Sequence, residues 1–267
     1  MTTYRALTEK EIATLVVYGC SAENWNNVLV AENFRPNYIS NVHFSGNINL
    51  GSFEKIFELD GGFKKHSGIY NVCLHNCTIG NDVYIDKIHN YIANYEIGDE
   101  TYNENTNIIL VEGKSSFGNG LRISVMNESG GREIPIFNEL SAPLAYILAS
   151  YRHKPQMISN LLNMIDAYAE SKSSTMGKIG SNVKIINCGR IKNVWIEDCA
   201  SIKGASNLKN GTINSNSFAP VKVGSGVKCK NFIISSGVHI TDSTLISNCF
   251  VGQGSQMDKH YSALDSV

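Results

Sequence analysis

A spacing of six residues constrains this chain more than any other feature. An aliphatic or aromatic residue followed by glycine recurs at Leu50-Gly51, Ile79-Gly80, Ile97-Gly98, Phe117-Gly118, Ile179-Gly180, Val223-Gly224 and Val251-Gly252. Around these pairs the apolar positions step by six: Cys73, Ile79, Ile85; Val111, Phe117, Ile123; Ile179, Ile185, Ile191; Ile196, Ile202, Leu208; Val223, Cys229; Val251, Met257. IGNDVYI, IGSNVKI, IEDCASI and VGSGVKC read as copies of one unit. That period matches neither the turn of a helix nor the alternation of a plain strand. A strand of about four residues followed by a turn of about two does match it. In such a unit the first residue points inward, and Gly or Asn relieves a corner where φ must be positive. Thirty asparagines suit left-handed corners and stacked amide ladders. Three units close a triangular coil of about eighteen residues, and coils stack at roughly 4.8 Å. The expected fold is an all-β solenoid with helical additions, a parallel β-helix covering residues 40–125 and 179–257.

The rest of the chain divides around this repeat. Residues 1–38 form an N-terminal helix and cap: Thr8-x-x-Glu11 is a capping box, Ile12, Leu15 and Val16 share a face, and Gly19 ends the helix. Residues 39–125 are the first part of the β-helix, interrupted by an excursion from Ser52 to Ser67. Residues 126–178 hold an inserted loop and a helical hairpin, with helices over 141–153 and 155–171. Residues 179–267 resume the β-helix. The chain ends in YSALDSV without a capping helix, so a truncated fragment of a longer polypeptide, or a partner covering that end, is expected.

Several classes are disfavoured. The 23 basic and 24 acidic residues leave a net charge of −1, which gives no electrostatic case for nucleic acid or anionic lipid. No apolar run approaches the roughly 18 residues of a membrane span. The opening residues do not form a signal peptide. Seven widely spaced cysteines without C-x-x-C read as reduced thiols in the cytoplasm. No Walker A, dinucleotide fingerprint, nucleophile elbow or H-E-x-x-H occurs.

The repeat units resemble the hexapeptide repeats of the left-handed β-helix, or LpxA-like, superfamily. More loosely, the chain is similar to large uncharacterised hexapeptide-repeat proteins of Bacteroidetes. The left-handed winding is implied by the resemblance alone, since left-handed crossovers are otherwise rare. The resemblance also implies an acyltransferase that moves an acyl group from acyl-CoA to a hydroxyl or amine of a sugar, sugar nucleotide or small metabolite. It implies a homotrimer with its site between subunits, a histidine general base and no metal. His66 in GGFKKHSG is one candidate base, with Lys64 or Lys65 to hold a phosphate. His75 in CLHNCTIG, beside Asn76, is the other. His89 follows on the next coil, with Asp86 nearby to fix its tautomer. Asn127, Glu128, Arg132 and Glu133 crowd a Gly130-Gly131 pair that lets backbone approach an acceptor, and Arg132 can fork onto an anion. Two other readings stand beside this one: a non-catalytic scaffold or binding module, and a metal enzyme like the γ-class carbonic anhydrases.

Overall fold

The computed structural model describes residues 3–126 and 130–267. Among these, twenty strands from Tyr4–Ala6 to Ser262–Ser266 join one hydrogen-bonded sheet system. Tyr4–Ala6 pairs antiparallel with Val28–Ala31, and the remaining ladders are parallel. Each pairing links a strand to the one a coil later. Ile179 faces Ile196 and Ile185 faces Ile202, seventeen residues on, while Leu74 faces Ile92 at eighteen. Leu208 faces Cys229 at twenty-one, because the irregular segment 214–221 lengthens that coil. The result is a mostly β, parallel stack of β-solenoid-like character.

Local chemistry explains the corners. Among the described residues, twenty-one non-glycine positions have positive φ, and eleven of them are asparagine, the L-residue that best tolerates this region. Successive corners at Asn182, Asn187, Asn193 and Cys199 delimit sides of five, six and six residues. Their amides then bond from coil to coil: Asn210 Nδ2 donates to Asn231 Oδ1 (2.8 Å), Asn231 to Asn248 (2.8 Å) and Asn248 to Asp265 (2.9 Å). Inside, rows such as Ile185, Ile202, Val223 and Ile240 fill the core. A polar residue interrupts the row just named. Asn103 is fully buried between Ile85 and Ile185.

The five-residue side displaces one expectation. Cys73 is exposed, whereas Val72 and Leu74 on either side are buried. Inward positions run from Leu74 to Ile79, a step of five across the corner at Asn76, so a strict six-residue count from Ile79 lands on the wrong face. The series ending at Ile123 also departs from the stack. Leu121–Ile123 pairs antiparallel with Ile134–Ile136 and belongs to a second core.

The helices are minor additions. Helix α1 (Glu9–Val17) carries the expected reciprocal capping box of Thr8 and Glu11. Helices α2 (Ala142–Ser150) and α3 (Pro155–Ser171) bury Leu148 and Ile165 in the second core, against the outward side chains Ile233 and Phe250 of the stack. This insert therefore covers the part of the stack around Ile233 and Phe250. His153 lies beyond α2 and rests near the Tyr151 ring rather than in the last helical turn. No helix among the described residues is long and apolar enough to cross a membrane.

Candidate functional site

The Ser52–Ser67 excursion is an antiparallel hairpin, with Ile56–Glu58 paired to Lys64–His66 around a turn at Asp60–Gly62. It lies over two tyrosines from successive coils. Tyr84 and Tyr102 are register partners, and their rings stack at 4.7 Å. Lys65 crosses both rings, 5.0 and 5.9 Å from their centres, and ends 2.5 Å from Glu104 Oε1. Tyr102 donates to the other carboxylate oxygen at 2.5 Å, and Phe57 meets Tyr102 edge-on at 5.4 Å. These contacts pin the hairpin. They also engage Lys65, so it is not the free cation that the sequence suggests for a phosphate.

The pinned hairpin fixes His66. Its ring lies flat on Tyr38 at 3.7 Å, and Nδ1 sits 2.8 Å from the carbonyl oxygen of Ser67. A carbonyl only accepts, so Nδ1 carries a proton, and in the neutral form of this ring the lone pair falls on Nε2. No hydrogen-bond partner of Nε2 is found among the described residues. His66 lines a cleft of about 440 Å³ with Phe63, Tyr70, Asn71, Tyr84 and Asp86. Asp86 accepts from Asn71 Nδ2 (2.8 Å) and from the Tyr84 hydroxyl (3.2 Å).

The electrostatics follow from burial and charge. Burial, then the nearby carboxylates of Asp86 and Glu104, push the Tyr84 phenol up. Burial and the hydrogen bond to Glu104 do the same for Tyr102. Both phenols thus stay protonated donors at neutral pH. Burial also opposes ionisation of Glu104, but hydrogen bonds from Lys65 and Tyr102 outweigh it and hold that carboxyl below its ordinary range. The cleft presents the His66 imidazole, the Tyr70 phenol and the buried Asp86 carboxylate, while the Tyr84 proton is committed to Asp86. That set can orient a hydroxyl or amine and accept its proton.

The other sequence candidates lie elsewhere. His75 is exposed and has both ring nitrogens engaged, Nδ1 with Ser45 Oγ at 2.8 Å and Nε2 with Asn76 Nδ2 at 3.0 Å. Asn76 lines a separate groove of about 510 Å³ among Asn and Thr side chains. His89 bonds Asn105 Oδ1 at 2.8 Å, and Asp86 is turned to Asn71 and Tyr84 instead of fixing its tautomer. Arg132 is exposed. Glu133 closes back on the amide of Gly131 (2.8 Å), and its own and that backbone N–H hold its carboxyl low. Asn127 and Glu128 lie outside the described residues. None of His75, His89, Arg132 and Glu133 lines the His66 cleft.

Sequence reasoning missed Tyr38, Tyr70, Tyr84, Tyr102 and Glu104. A signal was available for three of them: DVYID and ETYNE lie eighteen residues apart, one coil, with Tyr and an acid in matching places. It also missed a cavity of about 690 Å³ between the start of α2 and segment 214–216. Among the described residues, no group of three or more His, Cys, Asp and Glu is placed to hold a metal ion.

A parallel β stack with a histidine cleft under a hairpin is thus the class that fold and site define. Over residues 4–267 the chain matches the family described as Domain of unknown function (DUF4954), and it belongs to that family. It is 28% identical over 248 residues to a protein of Treponema pallidum (strain Nichols) described as "Uncharacterized protein". The match takes in 89% of this chain and 34% of that protein, so the chain spans about one third of the length of this curated relative.

Proposed function

We propose that the chain is a left-handed β-helix of the hexapeptide-repeat, LpxA-like kind and acts as an acyltransferase. The stacked parallel coils, with corners every five or six residues, support the architecture. The observation that carries the activity is the tautomer of His66, whose Nδ1–H is held by Ser67 and whose Nε2 is left open in a cleft. In this reading Nε2 takes the proton from an acceptor hydroxyl or amine as that atom attacks the thioester carbonyl of acyl-CoA. The new C–O or C–N bond forms, the C–S bond breaks, and the thiolate leaves with the proton from His66. Asp86 and the phenol of Tyr70 orient an acceptor of sugar, sugar-nucleotide or small-metabolite type, with Tyr84 holding Asp86. The active assembly is a homotrimer in a reducing cytoplasm.

Free-thiol release from acyl-CoA, measured across a panel of sugars, sugar nucleotides and amines, tests this. His66→Gln should lower kcat/KM by about 10²–10⁴, while His75→Gln should leave it within about twofold, since both its nitrogens serve neighbours. Equal effects of the two substitutions, or no thiol release with any acceptor, would defeat the proposal. The scaffold reading draws support from one observation. His75, Asn76 and His89 are engaged by Ser45, Asn94 and Asn105 of neighbouring coils rather than held free. Acyl-CoA binding absent by calorimetry would favour it.

A further inference from the structure

The near-zero net charge conceals a strong segregation. Residues 178–230 hold nine lysines and arginines against two carboxylates, leaving fourteen against twenty-two in the rest of the chain. Five of these cations stand on one open face of the stack. Arg190 and Lys192 are followed in register by Lys209 on the next coil and by Lys228 and Lys230 on the one after. Lys192 pairs with Glu112 at the edge of the face, and the other four have no ion pair among the described residues. Lys192, Lys209 and Lys230 form a ladder at about 4.8 Å spacing. Like charges directly opposite each other in a sheet are destabilising, and Glu112 offsets that cost only at the edge, for Lys192 and at longer range for Lys209.

The same face carries aliphatic side chains at both ends of the basic block. Leu110 precedes it, and Leu245 and Leu264 follow it at 46% and 65% exposure. Among the outward positions of these six strands there is no carboxylate: the remaining residues are Ile108, Asn207, Ser247 and Ser262. The face spans roughly 24 Å, five strand spacings.

We infer that this face docks on an anionic lipid surface, as a peripheral contact by a sheet whose strands present no outward carboxylate. Charge complementarity requires an anionic occupant. A second copy meeting the first through the same face would oppose lysine to lysine. Nucleic acid is less suited, because the face has no aromatic side chain on which a base can stack and a single arginine. A planar array of lysines flanked by exposed leucines fits the interface of a bilayer, where cations meet headgroups and apolar side chains enter the acyl boundary. This inference is independent of the acyltransferase proposal.

Co-sedimentation of the full chain with phosphatidylcholine vesicles, with and without about one third phosphatidylglycerol, tests it. Binding to the anionic vesicles alone, weakening as salt rises, is expected. Lys209→Gln/Lys230→Gln should weaken it about 25-fold, at about fivefold per cation, and Leu245→Ser/Leu264→Ser should remove the salt-resistant part. Lys10→Gln, on exposed α1, should leave it unchanged, and unaltered circular dichroism melts would show each variant folded. No binding to anionic vesicles, equal binding to neutral ones, equal loss in Lys10→Gln, or binding to inorganic polyphosphate or single-stranded DNA without vesicles would each overturn it.

Discussion

The asparagine ladder makes a quantitative prediction at Asn231. This half-buried residue sits at φ 54°, accepts from Asn210 and donates to Asn248, both at 2.8 Å. Alanine there loses two neutral hydrogen bonds, about 1 kcal/mol each. It also meets the left-handed penalty of an ordinary L-residue, about 1–2 kcal/mol, for a total of about 3–4 kcal/mol. Glycine loses the same bonds but accepts the corner, and its added chain entropy when unfolded costs about 0.5–1 kcal/mol. Asn231→Ala should therefore be the less stable variant by roughly 0.5–1 kcal/mol. Urea unfolding followed by circular dichroism measures the pair. Hydrogen exchange at Lys228–Ile234 and Leu245–Val251 should show the loss concentrated in the coils that the ladder joins, because a stack of repeats couples mainly nearest neighbours. If glycine proved the more damaging residue, strain at the corner would not govern these turns. If both variants matched the parent chain, the ladder would contribute nothing to stability.

Two further outcomes are expected. Asn103 accepts from Thr106 Oγ1 at 2.7 Å, but its buried Nδ2 has no partner. Thr106 is fully buried too and would lose its acceptor, so both partners are replaced: Asn103→Leu/Thr106→Val should remove the unsatisfied donor and extend the aliphatic row, raising Tm by about 2–4 °C for a gain near 1 kcal/mol; a lower Tm of this double variant in a thermal melt would count against the assignment. At the N-terminus, the Arg5 guanidinium, followed by the backbone and hydroxyl of Thr8, lowers the Glu11 carboxyl from 4.5 to about 2, against the opposing effect of burial. The unfolded chain therefore takes up this proton first as pH falls, so the stabilisation is complete above about pH 4.5 and is lost as pH drops through about 2. Hydrogen-exchange protection of α1 should fall across that window, and Arg5→Met should flatten the dependence.

The stack was legible because its signal is periodic and apolar. Ile179, Ile185, Ile191, Ile196, Ile202 and Leu208 all lie in the one core, as a repeat of aliphatic positions requires. The same kind of signal placed α1, α2 and α3 within a few residues. What periodicity could not give was the length of each side. A corner can follow five residues or six, and both are built from the same Asn and small residues, so Cys73 was assigned to the wrong face. Nor could it show that Ile123, correctly spaced from Phe117, leaves the stack to pair with Ile134.

The cleft was only partly legible, for a different reason. In a stacked coil, outward residues on one strand meet outward residues seventeen or eighteen positions away, and the excursion hairpin adds contacts set by its own register. Lys65 and Glu104 are thirty-nine residues apart in sequence and become an ion pair only through both operations. A histidine in a lysine-flanked loop therefore reads as a candidate base, whereas the groups that hold its ring, the stacked Tyr38 and the Ser67 carbonyl, carry no motif. The same argument applies to the basic face. Arg190, Lys192, Lys209, Lys228 and Lys230 are spread over forty-one residues and are offset in the net charge by carboxylates elsewhere. Stacking at a fixed register converts that dilute series into a dense grid. Electrostatic conclusions for a solenoid must therefore be drawn face by face, because the total charge averages over surfaces that never meet the same partner.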